Sequence, residues 1–64
     1  MKYLVKSSAS DRVVTLMIIE NTMISVSDGG TLDQLFSFTS QEHAIANIQS
    51  MAQQLADAGM EVVR

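Results

Sequence analysis

The residues that could carry chemistry in this chain are one histidine, two aspartates beside a glycine pair, and three cations near the N-terminus. With Ser40, Glu42 or Asp57, His43 could form a nucleophile–base–orienter set of the acyl-transfer kind. Glu42 and His43 are sequence neighbours, however, and diverge on a helix. No second base or oxyanion motif accompanies them, so the pattern describes a solvent-facing histidine. Asp28-Gly29-Gly30 has the glycines of a phosphate cradle but not the lysine and following helix of a P-loop, and is read as a hairpin turn. Asp28 and Asp33 flank that turn without the ligand spacing of a calcium loop. The chain has no cysteine, which removes thiolate metal sites and disulfides. No catalytic residue, cofactor or metal site is therefore expected, and the chain is read as a non-enzyme. Lys2, Lys6 and Arg12 are the only clustered cations that could meet a nucleic-acid phosphate.

The charge is unevenly spread. Lys2, Lys6 and Arg12 against Asp11 and Glu20 leave the first twenty residues at +1. Arg64 against Asp28, Asp33, Glu42, Asp57 and Glu61 leaves the remainder at −4, for a net −3. Hydrophobic residues make up 47% and charged ones 17%, a balance that favours a folded chain over a disordered tail. The 64 residues form one domain, and a chain of this size buries only about 60% of the surface it exposes unfolded. No apolar run approaches the ~20 residues of a membrane span. Lys6 and a serine-rich turn interrupt the N-terminal apolar residues too early for a signal peptide. A cytoplasmic protein with no membrane contact is the expectation.

The element that must position everything else lies between Phe38 and Met60. Ala44, Ile45, Ile48, Met51, Ala52 and Leu55 recur at three- and four-residue steps and form one stripe of a helix. Gln41, Asn47, Gln49, Ser50, Gln53, Gln54 and Asp57 fall opposite. Thr39 is read as the N-cap, with Glu42 three residues on completing a capping box. Gly59 ends the helix in the left-handed conformation, with Met60 folding back on Leu55.

Ahead of the helix the pattern is one of strands. Residues 1–7 form the first, followed by a turn at Ser8-Ala9-Ser10-Asp11. Residues 12–20 are rich in β-branched side chains and form the second. A connection at Glu20-Asn21-Thr22, with Asn21 suited to positive φ, leads to a third strand at 23–28. Asp28-Gly29-Gly30 turns the chain into a fourth at 31–38, and residues 61–64 can add a short fifth. The plan is α+β: an antiparallel β-β-β-β-α meander with the helix across one face. The expected core is Val14, Leu16, Ile18, Ile24, Val26, Phe36 and Phe38 from the sheet, with Ile45, Ile48, Met51 and Leu55 from the helix.

The second strand is apolar on both sides. Val14, Leu16 and Ile18 point one way, and Val13, Met17 and Ile19 the other. A half-solvated antiparallel strand alternates apolar with polar, and one helix covers one face. Val13, Met17, Ile19, Met23 and Leu35, with Leu4 nearby, are thus expected on a helix-free face. An apolar patch of that kind marks an interface, and methionine adapts to varied partner surfaces.

From about residue 12 the layout resembles the WGR-like domain. Phe38-Thr39-Ser40-Gln41-Glu42-His43-Ala44 is similar to that family's strand-to-helix entry, and Ala58-Gly59-Met60-Glu61-Val62 to its exit. The naming Trp-Gly-Arg should fall near Val26-Ser27-Asp28-Gly29-Gly30, where only glycine is present. The resemblance implies nucleic-acid contact, but the Trp and Arg side chains that support it in the family are absent. Size, acidity and plan also resemble small phage-encoded inhibitors such as anti-CRISPR proteins, an analogy of class.

The leading functional expectation is a protein-binding module acting through Val13, Met17, Ile19, Met23 and Leu35. Its partner is a second copy, giving a homodimer, or another protein. In the phage or mobile-element inhibitor version, the acidic half contacts a basic partner surface. The alternative is a nucleic-acid-binding module using Lys2, Lys6 and Arg12.

Overall fold

A computed structural model describes residues 1–7 and 11–63; of the expected first turn, Ser8, Ala9 and Ser10 lie outside the described residues, as does Arg64. The elements are β1 (Lys2–Lys6), β2 (Val13–Ile19), β3 (Met23–Asp28), β4 (Thr31–Ser37), α1 (Gln41–Asp57) and β5 (Glu61–Val63). The five strands form one antiparallel sheet in the order β4-β3-β2-β1-β5. The first four strands make the meander. The helix then carries the chain back across it, so that β5 pairs with β1, Val5 opposite Val62. This is the α+β class expected from the pattern.

The turns follow local chemistry. Asp28 pairs with Thr31, so Gly29 and Gly30 are the two loop residues. Both have positive φ, +60° and +88°, which glycine adopts at no Cβ cost and a tight two-residue hairpin requires. The β2–β3 hairpin must achieve the same reversal without glycine. Glu20 and Asn21 take φ of 52° and 67°. Asn tolerates this region, whereas Glu is strained there.

Helix α1 ends as expected. Met60 N–H bonds to the Leu55 carbonyl at 3.1 Å and Gly59 N–H to that of Ala56 at 3.0 Å, the two bonds of a Schellman cap. Its start differs by one residue. Ser40, with extended φ of −152°, is the N-cap, and its side chain accepts from the His43 N–H at 3.2 Å. The Thr39 hydroxyl instead pairs with the His43 ring at 2.9 Å, so the Thr39–Glu42 capping box is not formed. Both residues have cap chemistry. Phe38 is tied by its N–H to the Thr22 carbonyl at 2.9 Å and packs on the core, which holds the chain extended for long enough that Ser40 makes the entry.

The core lies between α1 and β1, β2, β3 and β5. Tyr3, Val5, Leu16, Ile24, Ile48 and Ala52 form its buried cluster, and Ala44 is fully buried beside it. Val14, Ile18, Val26, Phe36, Phe38, Met51, Leu55, Met60 and Val62 pack around that cluster half-buried. The expected core therefore holds except at Ile45, with a shifted centre. Tyr3 and Val5 are central because pairing with β5 places β1 inside the sheet. Ala44 and Ala52 face the sheet because a small side chain lets the helix approach closely. Ile45 is half-buried, outside the cluster.

Candidate functional site

Cross-strand partners in an antiparallel sheet share a face, so the register sorts every strand residue to one side. Tyr3 pairs with Leu16, Leu16 with Val26, and Ile24 with Phe36; this is the helix side. On the other side Lys2 pairs with Met17, Met17 with Ser25, Ser25 with Leu35, Ile19 with Met23, and Lys6 with Val13. All five residues expected on the helix-free face, Val13, Met17, Ile19, Met23 and Leu35, are placed there. Met17 is 36% exposed and Leu35 50%, while Val13, Ile19 and Met23 are half-buried.

Two further apolar residues join them. Leu32, 59% exposed, has the same sequence parity as Gln34 and Phe36 and would fall on the helix side of a regular strand. Val26 pairs with Gln34 but Ser27 with Leu32, so Asp33 is an extra residue. This β-bulge re-aims Leu32 to the open side. Val63, 36% exposed, arrives on this side by pairing with Leu4. Apart from Met1 at the terminus, every large exposed hydrophobic residue among those described is on the helix-free face.

The patch has internal structure. Ile19, Met23, Met17 and Leu35 cluster toward the β2–β3 turn, around Ser25. That serine is only 6% exposed although no helix covers it, because Met17 and Leu35 flank it directly in the register. Its hydroxyl reaches the Met17 carbonyl at 3.5 Å. Thr15 and Ser27, paired with each other, form a hydroxyl row beyond. Leu4 and Val63 lie past Thr15, and Val13 sits at the far end beside Lys6.

The charged residues are divided between faces. Lys2, Lys6 and Glu61 are on the helix-free side, with Lys6 opposite Glu61. Glu42 and Asp57 are on the helix, in the other layer. An acidic contact surface would thus be a different surface from the apolar one. Of the three cations of the nucleic-acid alternative, Lys6 and Arg12 line one hollow of about 450 Å³ together with the acids Asp11 and Glu61, and Lys2, at the other end of β1, is not part of it. Arg12 makes a forked ion pair with Asp28, Nε lying 2.9 and 2.8 Å from its two oxygens and Nη2 also in contact. Asp28 shares a face with Val14, so this pair is on the helix side. The hydrogen bond from Arg12 holds the Asp28 carboxyl below its ordinary range, and Asp28 in turn raises the guanidinium pKa.

His43 is exposed at the first helical turn. Its ring bonds to Thr39, and Ser40 is engaged by the backbone as a cap, so the nucleophile–base arrangement is not assembled. Among the described residues no group of three or more His, Cys, Asp or Glu side chains could hold a metal ion, and no helix is long and apolar enough to cross a membrane. No family model, curated protein or solved structure matches the chain.

Proposed function

We propose that the chain is a non-enzymatic protein-binding module whose contact surface is the helix-free face of the sheet. The observation that carries this reading is the segregation of Met17, Leu32, Leu35 and Val63, all exposed, onto the one face that α1 leaves open. Scattered exposed hydrophobic residues need no explanation, whereas a group of them on one side does. A five-stranded sheet whose strands run from three to seven residues offers a footprint of about 440 Å² at ~4.8 Å between strands and ~3.3 Å per residue. Standard interfaces bury about 800 Å² per partner. The face thus suits a weak, reversible complex better than an obligate one.

The partner is a second copy or a different protein, and the inhibitor version is the case in which that protein belongs to a host complex. Sedimentation velocity over a concentration series separates the first two. A dimer of the wild-type chain that Met17→Asp together with Leu35→Asp abolishes, with unchanged circular dichroism, assigns the face to self-association. If the wild type is a monomer, capture of a defined protein from lysate by wild type but not by the double variant assigns it to another partner. A folded double variant that behaves like wild type in both assays removes the proposal.

A further inference from the structure

We propose that the Asp28-Gly29 peptide is a latent site of backbone self-modification, the conversion of Asp28 to an isoaspartyl linkage, and that Arg12 and the Val13 carbonyl hold it closed.

The chemistry starts from the sequence. In an aspartyl–glycyl peptide the glycine nitrogen attacks the aspartate Cγ. The N–Cγ bond forms, one carboxyl oxygen leaves as water with the amide proton and the acid proton, and a five-membered succinimide results. Water then opens the ring. Cleavage of the N–Cγ bond returns aspartate. Cleavage of the original peptide C–N bond leaves the chain running through Cγ and turns the former main-chain carbonyl into a free carboxylate. The water lost is the water regained, and no other reactant is needed. Glycine hinders the attack least, because no Cβ stands beside its nitrogen. Of the aspartates, only Asp28 precedes glycine; Arg12, Gln34 and Ala58 follow the others.

Both reacting groups are engaged elsewhere. The Gly29 N–H donates to the Val13 carbonyl at 3.0 Å, which fixes that peptide plane against β2. The Asp28 carboxylate accepts from Arg12, with Nε 2.9 and 2.8 Å from its two oxygens and Nη2 also in contact. Ring closure needs the carboxyl to swing onto its own following nitrogen, and needs it protonated so that water can leave. The ion pair opposes both, since it occupies both oxygens and favours the charged form, and it lowers the Asp28 pKa. The two restraints come from consecutive residues, Arg12 and Val13, so they act on the corner together.

The corner is otherwise open to reaction. Gly29 and Gly30 are exposed, so water reaches the ring, and exposed hairpin tips open locally at low cost. The product carries one extra main-chain carbon between residues 28 and 29. Asp28 pairs with Thr31 and Ser27 with Leu32, and a longer corner cannot keep both pairs in place. Amides of Thr31 and Leu32 should therefore shift in the isomerised fraction.

The test ages the full chain at neutral pH and low salt beside its Arg12→Gln and Asp28→Glu variants and a synthetic peptide of residues 26–32. Isoaspartate is read by enzymatic methylation and located by fragment mass spectra. The wild type should isomerise about 10-fold more slowly than the peptide, the margin for a backbone hydrogen bond and an exposed ion pair that must both break. Arg12→Gln should isomerise about 2- to 5-fold faster than wild type, the worth of the exposed pair. Salt at about 1 M screens that pair and should accelerate the wild type alone. Asp28→Glu should give no product at this position, because the six-membered ring closes far more slowly. A wild type that isomerises at the peptide's rate overturns the proposal, as does product at Asp11, Asp33 or Asp57 ahead of Asp28. Equal rates in wild type and a folded Arg12→Gln overturn the role of Arg12. If Arg12→Gln loses its circular dichroism signal, the salt series on wild type decides instead: acceleration supports the proposal and an unchanged rate overturns it.

Discussion

Leu16 and Met17 are adjacent in β2, and the structure sends them to opposite fates. Leu16 is 2% exposed at the centre of the core. Met17 is 36% exposed on the face that no element covers. Truncating a buried leucine to alanine removes its transfer energy and leaves a cavity, at a cost of about 2–5 kcal/mol. Truncating Met17 removes less buried area and leaves no enclosed void, so about 1 kcal/mol or less is expected from area alone. A 64-residue domain has a total stability of about 3–10 kcal/mol on per-residue averages, so Leu16→Ala should take the larger part of it. Urea unfolding followed by circular dichroism reads this directly. With a slope of about 1 kcal/mol per molar, the Leu16→Ala midpoint should fall by about 2 M or more and that of Met17→Ala by about 1 M or less. The comparison must be made dilute. If the helix-free face binds a second copy, the Met17→Ala loss grows with protein concentration while the Leu16→Ala loss does not. Equal losses in dilute solution, or a larger one at Met17, would refute the assignment of faces on which the functional proposal stands.

Three other outcomes test separate parts of the structure. Ser40→Ala should cost about 1 kcal/mol as a lost N-cap, while Thr39→Ala, which removes only an exposed side-chain bond, should cost much less; the reverse order in thermal melts would restore Thr39 as the cap. Glu20→Gly should stabilise by about 0.5–1 kcal/mol by relieving a left-handed non-glycine residue, which raises Tm by about 4 °C or more in so small a domain; a lower Tm would show that Glu20 makes a contact that outweighs its strain. The Asp28 carboxyl is held below its ordinary pKa of 3.8 by Arg12, so the pair stabilises the fold above about pH 4, and that contribution is lost as pH falls through the lowered value. Asp28→Asn should therefore show a shallower loss of stability on acidification than wild type in parallel pH titrations, and identical profiles would mean that solvent screens the exposed pair to nothing.

Much of this is legible in the sequence because it rests on short-range patterns. The Schellman cap at Gly59 and the tight turn at Gly29-Gly30 each depend on one or two residues and the sterics of Cβ. The strand limits at 23–28 follow from alternation, and the helical stripe from its period. The position of Met17, Ile19, Met23 and Leu35 on the open side also follows, since side-chain direction repeats every two residues along an unbroken strand. What stayed hidden depends on partners distant in sequence. Leu32 could not be assigned to its face without the bulge at Asp33. Ser25 could not be read as buried without Met17 and Leu35 on either side. Arg12 looked available for phosphate until β2 and β3 paired and brought it to Asp28, sixteen residues away.

The sequence by itself therefore determined the α+β class, the number and approximate limits of the four main strands and the helix, and the existence of a second apolar sheet face. These are consequences of backbone sterics and side-chain periodicity, which act within a few residues. Only the tertiary structure decided the strand order, which lodges β1 in the core through Tyr3 and Val5 and leaves β4 as the long free edge. The reason is that β5 closes the sheet against β1 through a helix crossing, and no local preference in three residues, Glu61 to Val63, specifies which strand they will meet.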